Sequence, residues 1–225
     1  MGQTIGEILP FAIGIAISPM PIIAIILMLI TPKARSNGLA FLVGWVLGLL
    51  VIGAILLVVA ATAGLSDSSG GSTTTAVIRL LLGLLLLFAA ARQWRSRPAA
   101  GETAPMPKWM RALDGFTTPK SFGLAFLLSG INPKNLMLNV GAMATIAGAG
   151  LSGGQQAVTL LVFACIASLT IAAPVGVYLT MGDRAGEILG DWKAWLATNN
   201  TAVMAVLFVV FGFVLIGQGI SGLSS

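Results

Sequence analysis

The sequence predicts an all-α integral membrane protein with six transmembrane helices, arranged as two inverted three-helix repeats. Two observations predict the membrane environment: the 225-residue chain is 57% hydrophobic and 8% charged, and its mean hydropathy is +0.99. Soluble domains carry roughly 25% charged residues, so 12 basic and 7 acidic side chains could not cover a soluble globule of this size. The third observation is an internal repeat, which predicts the inverted arrangement.

Six apolar segments are expected to cross the bilayer, whose hydrocarbon core of about 30 Å needs roughly 20 helical residues. They cover residues 5–30, 38–61, 75–91, 122–149, 155–180 and 201–220. The first, fourth and fifth are longer than a straight crossing requires, which leaves room for tilt or a break. Helices are favoured over a membrane barrel because the apolar segments are continuous and do not alternate with period two.

The basic residues predict the orientation of these spans. Ten of the twelve follow the first, third or fifth span: Lys33, Arg35, Arg92, Arg95, Arg97, Lys108, Arg111, Lys120, Arg184 and Lys193. The positive-inside rule places these segments in the cytoplasm and both termini outside it, as in a multi-pass protein of the plasma (inner) membrane. Topology thus explains the net charge of +5 without a nucleic-acid partner.

The predicted organisation is a first three-helix repeat at residues 1–91, a basic cytoplasmic linker at residues 92–119, and a second three-helix repeat at residues 120–225. Within the second repeat, residues 183–197 are predicted to form an interfacial helix. Its large apolar side chains share one helical face: Ile188, Leu189, Trp192, Trp195 and Leu196. Another short interfacial helix is expected to begin at Pro107 in the linker.

Two proline motifs mark the internal repeat. Ser18-Pro19-Met20-Pro21 lies in the middle of the first span, and Asn132-Pro133-Lys134-Asn135 lies 114 residues later in the middle of the fourth. The same offset carries the second span onto residues 152–175, close to the fifth. Because three spans per half is an odd number, the halves must enter the membrane from opposite sides. Inverted repeats with paired interruptions are typical of secondary transporters and mark the binding site.

Lys134 lies about 21 Å, by helical rise, from both Lys120 and Gly148. A lysine at this depth does not easily reach the interface, and its insertion costs roughly 2.5–3.5 kcal/mol. We therefore expect it to have a compensating partner or a functional role.

Asn132, Asn135 and Asn139 are expected to fall on one helical stripe beside Lys134. Two interpretations of these residues stay open. One is a cationic, amide-lined pocket for an anionic or hydroxyl-rich headgroup; the other is a lysine that caps carbonyls freed by Pro133, with asparagines joining helices. Both can hold together. The predicted substrate-binding residues are Lys134, Asn132, Asn135, Asn139, Ser18, Pro19, Pro21 and Pro133.

Other intramembrane residues carry weaker expectations. Glu7 is the one acid inside a predicted span, and it either sits among headgroups or takes part in energy coupling. Arg79 is expected to extend outward to the interface. Gly44 and Gly48 form a small-xxx-small spacing that predicts close helix packing. Cys165 is expected to be a buried apolar residue.

The inventory of reactive groups argues against an enzyme. There is no His, the single cysteine cannot form an internal disulfide, and no phosphate-binding loop or cluster of acids occurs. We therefore expect no catalytic residues, no cofactor and no metal site. A transporter needs no covalent chemistry and fits this inventory.

Four sequence stretches carry a family resemblance: Ser18-Pro19-Met20-Pro21-Ile22-Ile23, Thr31-Pro32-Lys33-Ala34-Arg35, Gly38-Leu39-Ala40-Phe41-Leu42-Val43-Gly44-Trp45 and Asn132-Pro133-Lys134-Asn135. They resemble the peptidoglycolipid addressing protein family, which includes the sulfolipid-addressing proteins of mycobacteria and belongs to the lysine exporter superfamily. The resemblance covers essentially the whole chain, and the first-half motif is the more specific. It implies a six-helix plasma-membrane protein that helps to move envelope glycolipids or related lipids outward.

The leading functional hypothesis is an exporter or flippase for a cell-envelope lipid, glycolipid or lipid-linked saccharide with a polar or anionic headgroup. One alternative is an exporter of small solutes such as amino acids or ions, and another is a scaffold for envelope lipid assembly that does not itself transport. The expected partners are membrane lipids and the lipid substrate. A homodimer and envelope-biosynthesis proteins are left open as further partners.

Overall fold

The computed structural model describes residues 1–62, 73–95 and 116–224, and every regular element in those ranges is helical. The α-helices are α1 (Gly2–Ala16), α2 (Pro19–Leu29), α3 (Ala34–Thr62), α4 (Thr73–Arg95), α5 (Thr118–Gly130), α6 (Pro133–Ala147), α7 (Gly153–Met181) and α8 (Ala185–Ser224). A short 3₁₀ helix, Gly182–Arg184, joins α7 to α8. The predicted all-α class is confirmed. The interfacial helix expected to begin at Pro107 lies outside the described residues.

Four helices are long and apolar enough to cross a membrane: Ala34–Thr62, Ala76–Arg95, Gly153–Met181 and Ala185–Leu223. A fifth candidate is the pair α1 and α2, which together meet the same criteria and are bent by 52° where they join. The helices α5 and α6 have 13 and 15 residues, so neither alone is long enough to cross. The chain is thus a multi-pass membrane protein with four to five candidate spans among the described residues.

The outer surface of the helices is apolar, as expected for contact with lipid. Leu81, Phe88 and Phe213 are 61%, 67% and 63% exposed, respectively. Exposure of this kind would be unfavourable in water but matches the acyl chains of a bilayer. Cys165 also belongs to this surface, so the expectation that it is buried was wrong. A small apolar side chain is equally stable facing lipid or facing protein, which is why composition could not decide its position.

Proline begins two of the helices. Pro19 is the first residue of α2 and Pro133 is the first residue of α6. The missing N–H of proline costs nothing at this position, because the first N–H groups of a helix have no intrahelical acceptor. The two motifs therefore end one helix and start another, whereas a single proline kink would leave one continuous helix.

Glycine allows α3 to approach α5 closely. A Cβ atom at Gly44 would lie 2.3 Å from the carbonyl oxygen of Phe122, and one at Gly48 would lie 2.1 Å from Ser129 Oγ. Both distances are too short for a side chain, so only glycine fits at this interface. The close packing predicted from the small-xxx-small spacing is confirmed.

The last helix differs from the prediction. The expected interfacial helix at residues 183–197 and the expected span at residues 201–220 belong to one continuous helix, α8, of 40 residues. Thr198 and Asn199 lie at the predicted boundary, but their side chains donate to the carbonyl oxygens of Ala194 and Trp195 one turn earlier, at 3.0 and 2.9 Å. Polar side chains that bond back in this way can remain within a helix. At about 60 Å, α8 is longer than one bilayer core.

Candidate functional site

The first helix break lies between α1 and α2. Ile13 O accepts from the backbone N–H of Ile17, but the carbonyls of residues 14–16 have no backbone donor in the described ranges, because the chain turns at Ile17 and Ser18 before Pro19 begins α2. Two of these carbonyls receive donors from the second half of the chain. Lys134 Nζ donates to Gly14 O at 2.7 Å, and Thr170 Oγ1 donates to Ala16 O.

The ammonium group of Lys134 joins the two breaks. Besides Gly14 O, it donates to Ser18 Oγ at 2.7 Å, and Ser18 Oγ donates to Asn135 Oδ1 at 3.2 Å. Ser18 is buried, and Lys134 is half-buried. Both acceptors of the ammonium are neutral oxygen atoms, so neither balances its positive charge. The structure therefore brings Ser18 together with Lys134 and Asn135, which lie more than a hundred residues later in the sequence.

The second helix break lies between α5 and α6, and α6 supplies most of its polar contacts. Asn132 is the N-cap of α6, and its Oδ1 accepts from the backbone N–H of Lys134 at 3.1 Å. Asn135 Nδ2 donates to Leu128 O at 2.8 Å, and Asn139 Nδ2 donates to Ser129 O at 3.5 Å. These bonds satisfy carbonyls at the end of α5, which would otherwise be buried without a partner.

The three asparagines do not form the single helical stripe that the sequence predicted. Asn132 precedes α6 and caps it, whereas Asn135 and Asn139 lie inside α6 and are 1% and 0% exposed. The amide groups of Asn135 and Asn139 are used to hold α5 and α6 together. Asn139 Oδ1 is buried and has no hydrogen-bond partner among the described residues.

Pro19 and Pro133 contribute by beginning α2 and α6, and Pro21 lies in the first turn of α2. Pro19 and Pro21 are buried, and Pro133 is exposed. The alternative in which Lys134 caps a carbonyl is realised, but the carbonyl is that of Gly14 in the other half of the chain. The sequence had placed the freed carbonyl next to Pro133.

Glu7 and Arg79 lie away from the two breaks. Glu7 is exposed and accepts from Gln3 Nε2 at 2.9 Å. It precedes Gly14 by seven residues, or about 10 Å along α1. Arg79 on α4 interacts electrostatically with Glu7, and its Nε is buried without a hydrogen-bond partner in the described part of the chain.

Sequence reasoning missed Thr170. It lies within the fifth predicted span, where several hydroxyl side chains occur, and no pattern there distinguishes the one that reaches another helix. Its hydroxyl is the second donor from the other half at the end of α1. A threonine in a membrane helix normally bonds a carbonyl of its own helix, as Thr180 does with Gly176 O at 2.8 Å.

Two cavities open near this region. One of about 330 Å³ is lined by Ile22, Thr170, Ala173, Trp192, Trp195 and Leu196. The other, of about 440 Å³, is lined by Arg35, Tyr178, Leu179 and Gly182. The first cavity is almost entirely apolar, and the second has a guanidinium and a phenol in its wall.

Comparisons with known proteins identify the family of the chain. The family model described as Sap, sulfolipid-1-addressing protein, matches residues 8–221, which include both helix breaks and all eight predicted substrate-binding residues. No curated protein and no solved structure shows a significant match to the chain. The match extends over nearly the whole sequence, and the chain belongs to the sulfolipid-1-addressing protein family.

Proposed function

We propose that this protein exports or flips a cell-envelope lipid, glycolipid or lipid-linked saccharide with a polar or anionic headgroup across the plasma membrane. Membership of a lipid-addressing family and the apolar multi-pass helices support a role in lipid handling. The observation that carries the proposal is the ammonium of Lys134, which joins the two helix breaks and bonds two neutral oxygens.

The proposed architecture is six spans in two inverted repeats, in which α1 and α2 correspond to α5 and α6, and α3 corresponds to α7. The helix contacts support this correspondence: α1 packs on α7 as α5 packs on α3, and α2 packs on α7 as α6 packs on α3. Two further pairs, α3 with α7 and α4 with α8, join each helix to its own counterpart. This exchange of partners is what a two-fold relation between the halves would produce.

The mechanism follows from the charge of Lys134. Burying an ammonium in the bilayer is unfavourable, and two neutral acceptors offset that cost less well than an anion would. An anionic headgroup that enters between the breaks therefore competes with Gly14 O and Ser18 Oγ for the ammonium. When Lys134 turns to the headgroup, a contact between the two halves is released, and the halves can rock between inward-open and outward-open arrangements.

This cycle makes and breaks no covalent bond, so we propose that the protein is not an enzyme. In the proposed orientation both termini are outside, and the loops rich in Lys and Arg face the cytoplasm, where the lipid is loaded. An exporter of small solutes would use the same ammonium for a carboxylate, and competition experiments separate the two classes.

The test is transport in proteoliposomes that contain a fluorescent anionic lipid, with the change of leaflet followed by chemical quenching. Lys134→Met should reduce the transport rate roughly ten- to hundredfold, because a charge-assisted hydrogen bond contributes about 1.5–3 kcal/mol. Lys33→Met is the matched control: Lys33 is exposed between α2 and α3, and its variant should transport at close to the normal rate.

Three outcomes contradict the proposal. Normal lipid transport by folded Lys134→Met would exclude the ammonium from the site. Inhibition of transport by free amino acids, with none by anionic lipids, would favour a small-solute exporter. Restoration of lipid export in a deletion strain by the Lys134→Met variant would indicate a scaffold.

A further inference from the structure

The apolar cavity between α2, α7 and α8 has the size and lining of a ligand site. Its volume of about 330 Å³ falls in the lower part of the range for small-molecule pockets, roughly 300–1,000 Å³. Thr170 is its one polar lining residue, and the hydroxyl of Thr170 already bonds Ala16 O. A ligand in this cavity would therefore meet apolar walls and no unsatisfied polar group from the lining residues.

Two tryptophans form one wall of the cavity. Trp192 and Trp195 are 39% and 59% exposed, whereas Leu189 on the same helix is 1% exposed and packs in the core. The sequence predicted that these side chains share a membrane-facing helix surface. In the structure they stand beside α2 and α7 and enclose a concave space, because α8 packs on α2 in this region.

The cavity adjoins the first helix break. Ile22 lines the cavity and lies four residues after Ser18, the N-cap of α2. Ser18 Oγ accepts from the ammonium of Lys134 at 2.7 Å. Thr170 bonds the last carbonyl of α1. An apolar space and a positive charge therefore lie about one helical turn apart.

We propose that this cavity binds an acyl chain of a lipid whose anionic headgroup is held by Lys134. The inference rests on the proposed function. It adds a site for the acyl chain of the substrate, which the ammonium cannot recognise. A water-soluble anion would leave the apolar walls unused, and a neutral hydrocarbon would leave the ammonium without a counter-charge. An anionic amphiphile satisfies both, and the bilayer around the protein supplies its acyl chains.

The experiment uses photo-crosslinking of the full-length protein in detergent. The probe is phosphatidylglycerol with a diazirine on one acyl chain, and phosphatidylcholine with the same acyl chain is the zwitterionic comparison. Mass spectrometry of the digested protein locates the labelled residues. We expect saturable labelling of the cavity residues, centred on Ile22, Ala173 and Leu196, with phosphatidylglycerol labelling at lower concentration than phosphatidylcholine.

A cavity-filling variant tests the site directly. In Ala173→Phe the added ring occupies the space for the chain, and labelling of the cavity should fall roughly tenfold or more, in line with the usual effect of steric exclusion from an apolar pocket. Ala54→Phe is the matched control, because Ala54 is also exposed on an apolar helix, α3, and does not line the cavity. Its labelling should equal that of the unmodified protein.

The results separate this inference from the proposed function. Labelling spread evenly over the lipid-facing helices, or labelling unchanged in Ala173→Phe, would mean contact with boundary lipid and would overturn the acyl site. If Ala173→Phe abolishes cavity labelling but Lys134→Met leaves the preference for phosphatidylglycerol intact, the acyl site stands and the headgroup role of Lys134 fails. If Lys134→Met removes that preference while Ala173→Phe changes nothing, the headgroup role stands and the acyl site fails.

Discussion

The two helix breaks look alike in sequence but are stabilised in different ways. At the second break, the free carbonyls of α5 accept from Asn135 and Asn139, which belong to the helix that follows. At the first break, the carbonyls of α1 accept from Lys134 and Thr170, which belong to the other half of the chain. The free carbonyls at the second break are bonded by the next helix in the chain, whereas those at the first break depend on contact between the two halves.

In the proposed transport cycle, this difference separates structural from functional roles. Contacts within α5 and α6 would persist while the halves rock. Contacts between α1 and the second half would have to loosen as the halves move apart, and a substrate would act on these contacts. The comparison leads us to expect stability effects at the second break and transport effects at the first.

The largest effect on stability should come from Asn135→Leu. This change leaves Leu128 O buried without its donor and removes the acceptor of Ser18 Oγ, at a cost of about 1–3 kcal/mol. Thermal unfolding in detergent measures this loss of stability, with Asn199→Leu on the surface of α8 as the control.

Lys134→Met should change stability by less than about 1 kcal/mol, because the lost hydrogen bonds are offset by removal of a buried charge. A larger loss of stability in Lys134→Met than in Asn135→Leu would contradict the expectation that stability effects belong to the second break.

A smaller effect is expected from Thr170→Val, which keeps the shape of the side chain and removes the donor to Ala16 O. Interhelical hydrogen bonds in membranes contribute about 0.6 kcal/mol on average, so the unfolding temperature should fall slightly. Transport should also slow, since the end of α1 is less well held. Thr180→Val removes a bond within α7 and serves as the control. Equal transport by both variants would show that the Thr170 contact has no part in the cycle.

The smallest effect is expected from Glu7→Gln. Glu7 is exposed and lies about 10 Å along α1 from the residue that Lys134 contacts, so transport should change by less than about twofold. The transport rates of Glu7→Gln and the unmodified protein, measured with and without a pH gradient, test this expectation. Complete loss of gradient-driven transport would instead assign Glu7 to energy coupling.

Sequence patterns predicted those parts of the site that depend on local chemistry. Lys134 was identified because a cation far from either end of an apolar segment is costly, and Pro19 and Pro133 because proline cannot continue a helix. The prediction that the three asparagines form one helical stripe was wrong, because α6 begins at Pro133 and Asn132 lies outside it. The prediction of a separate interfacial helix was wrong as well, because α8 continues through Thr198 and Asn199, whose side chains bond carbonyls of their own helix.

The sequence by itself determined that the chain is helical and embedded in a membrane, because apolar segments of this length are stable in a lipid bilayer and not in water. It also determined that helices start at Pro19 and Pro133, because proline acts on the backbone within one turn. Only the tertiary structure decided that Lys134 reaches Gly14 and Ser18, that Thr170 holds the end of α1, and that tryptophans of α8 enclose a cavity. These contacts join residues more than a hundred positions apart, and no local rule of spacing carries that information.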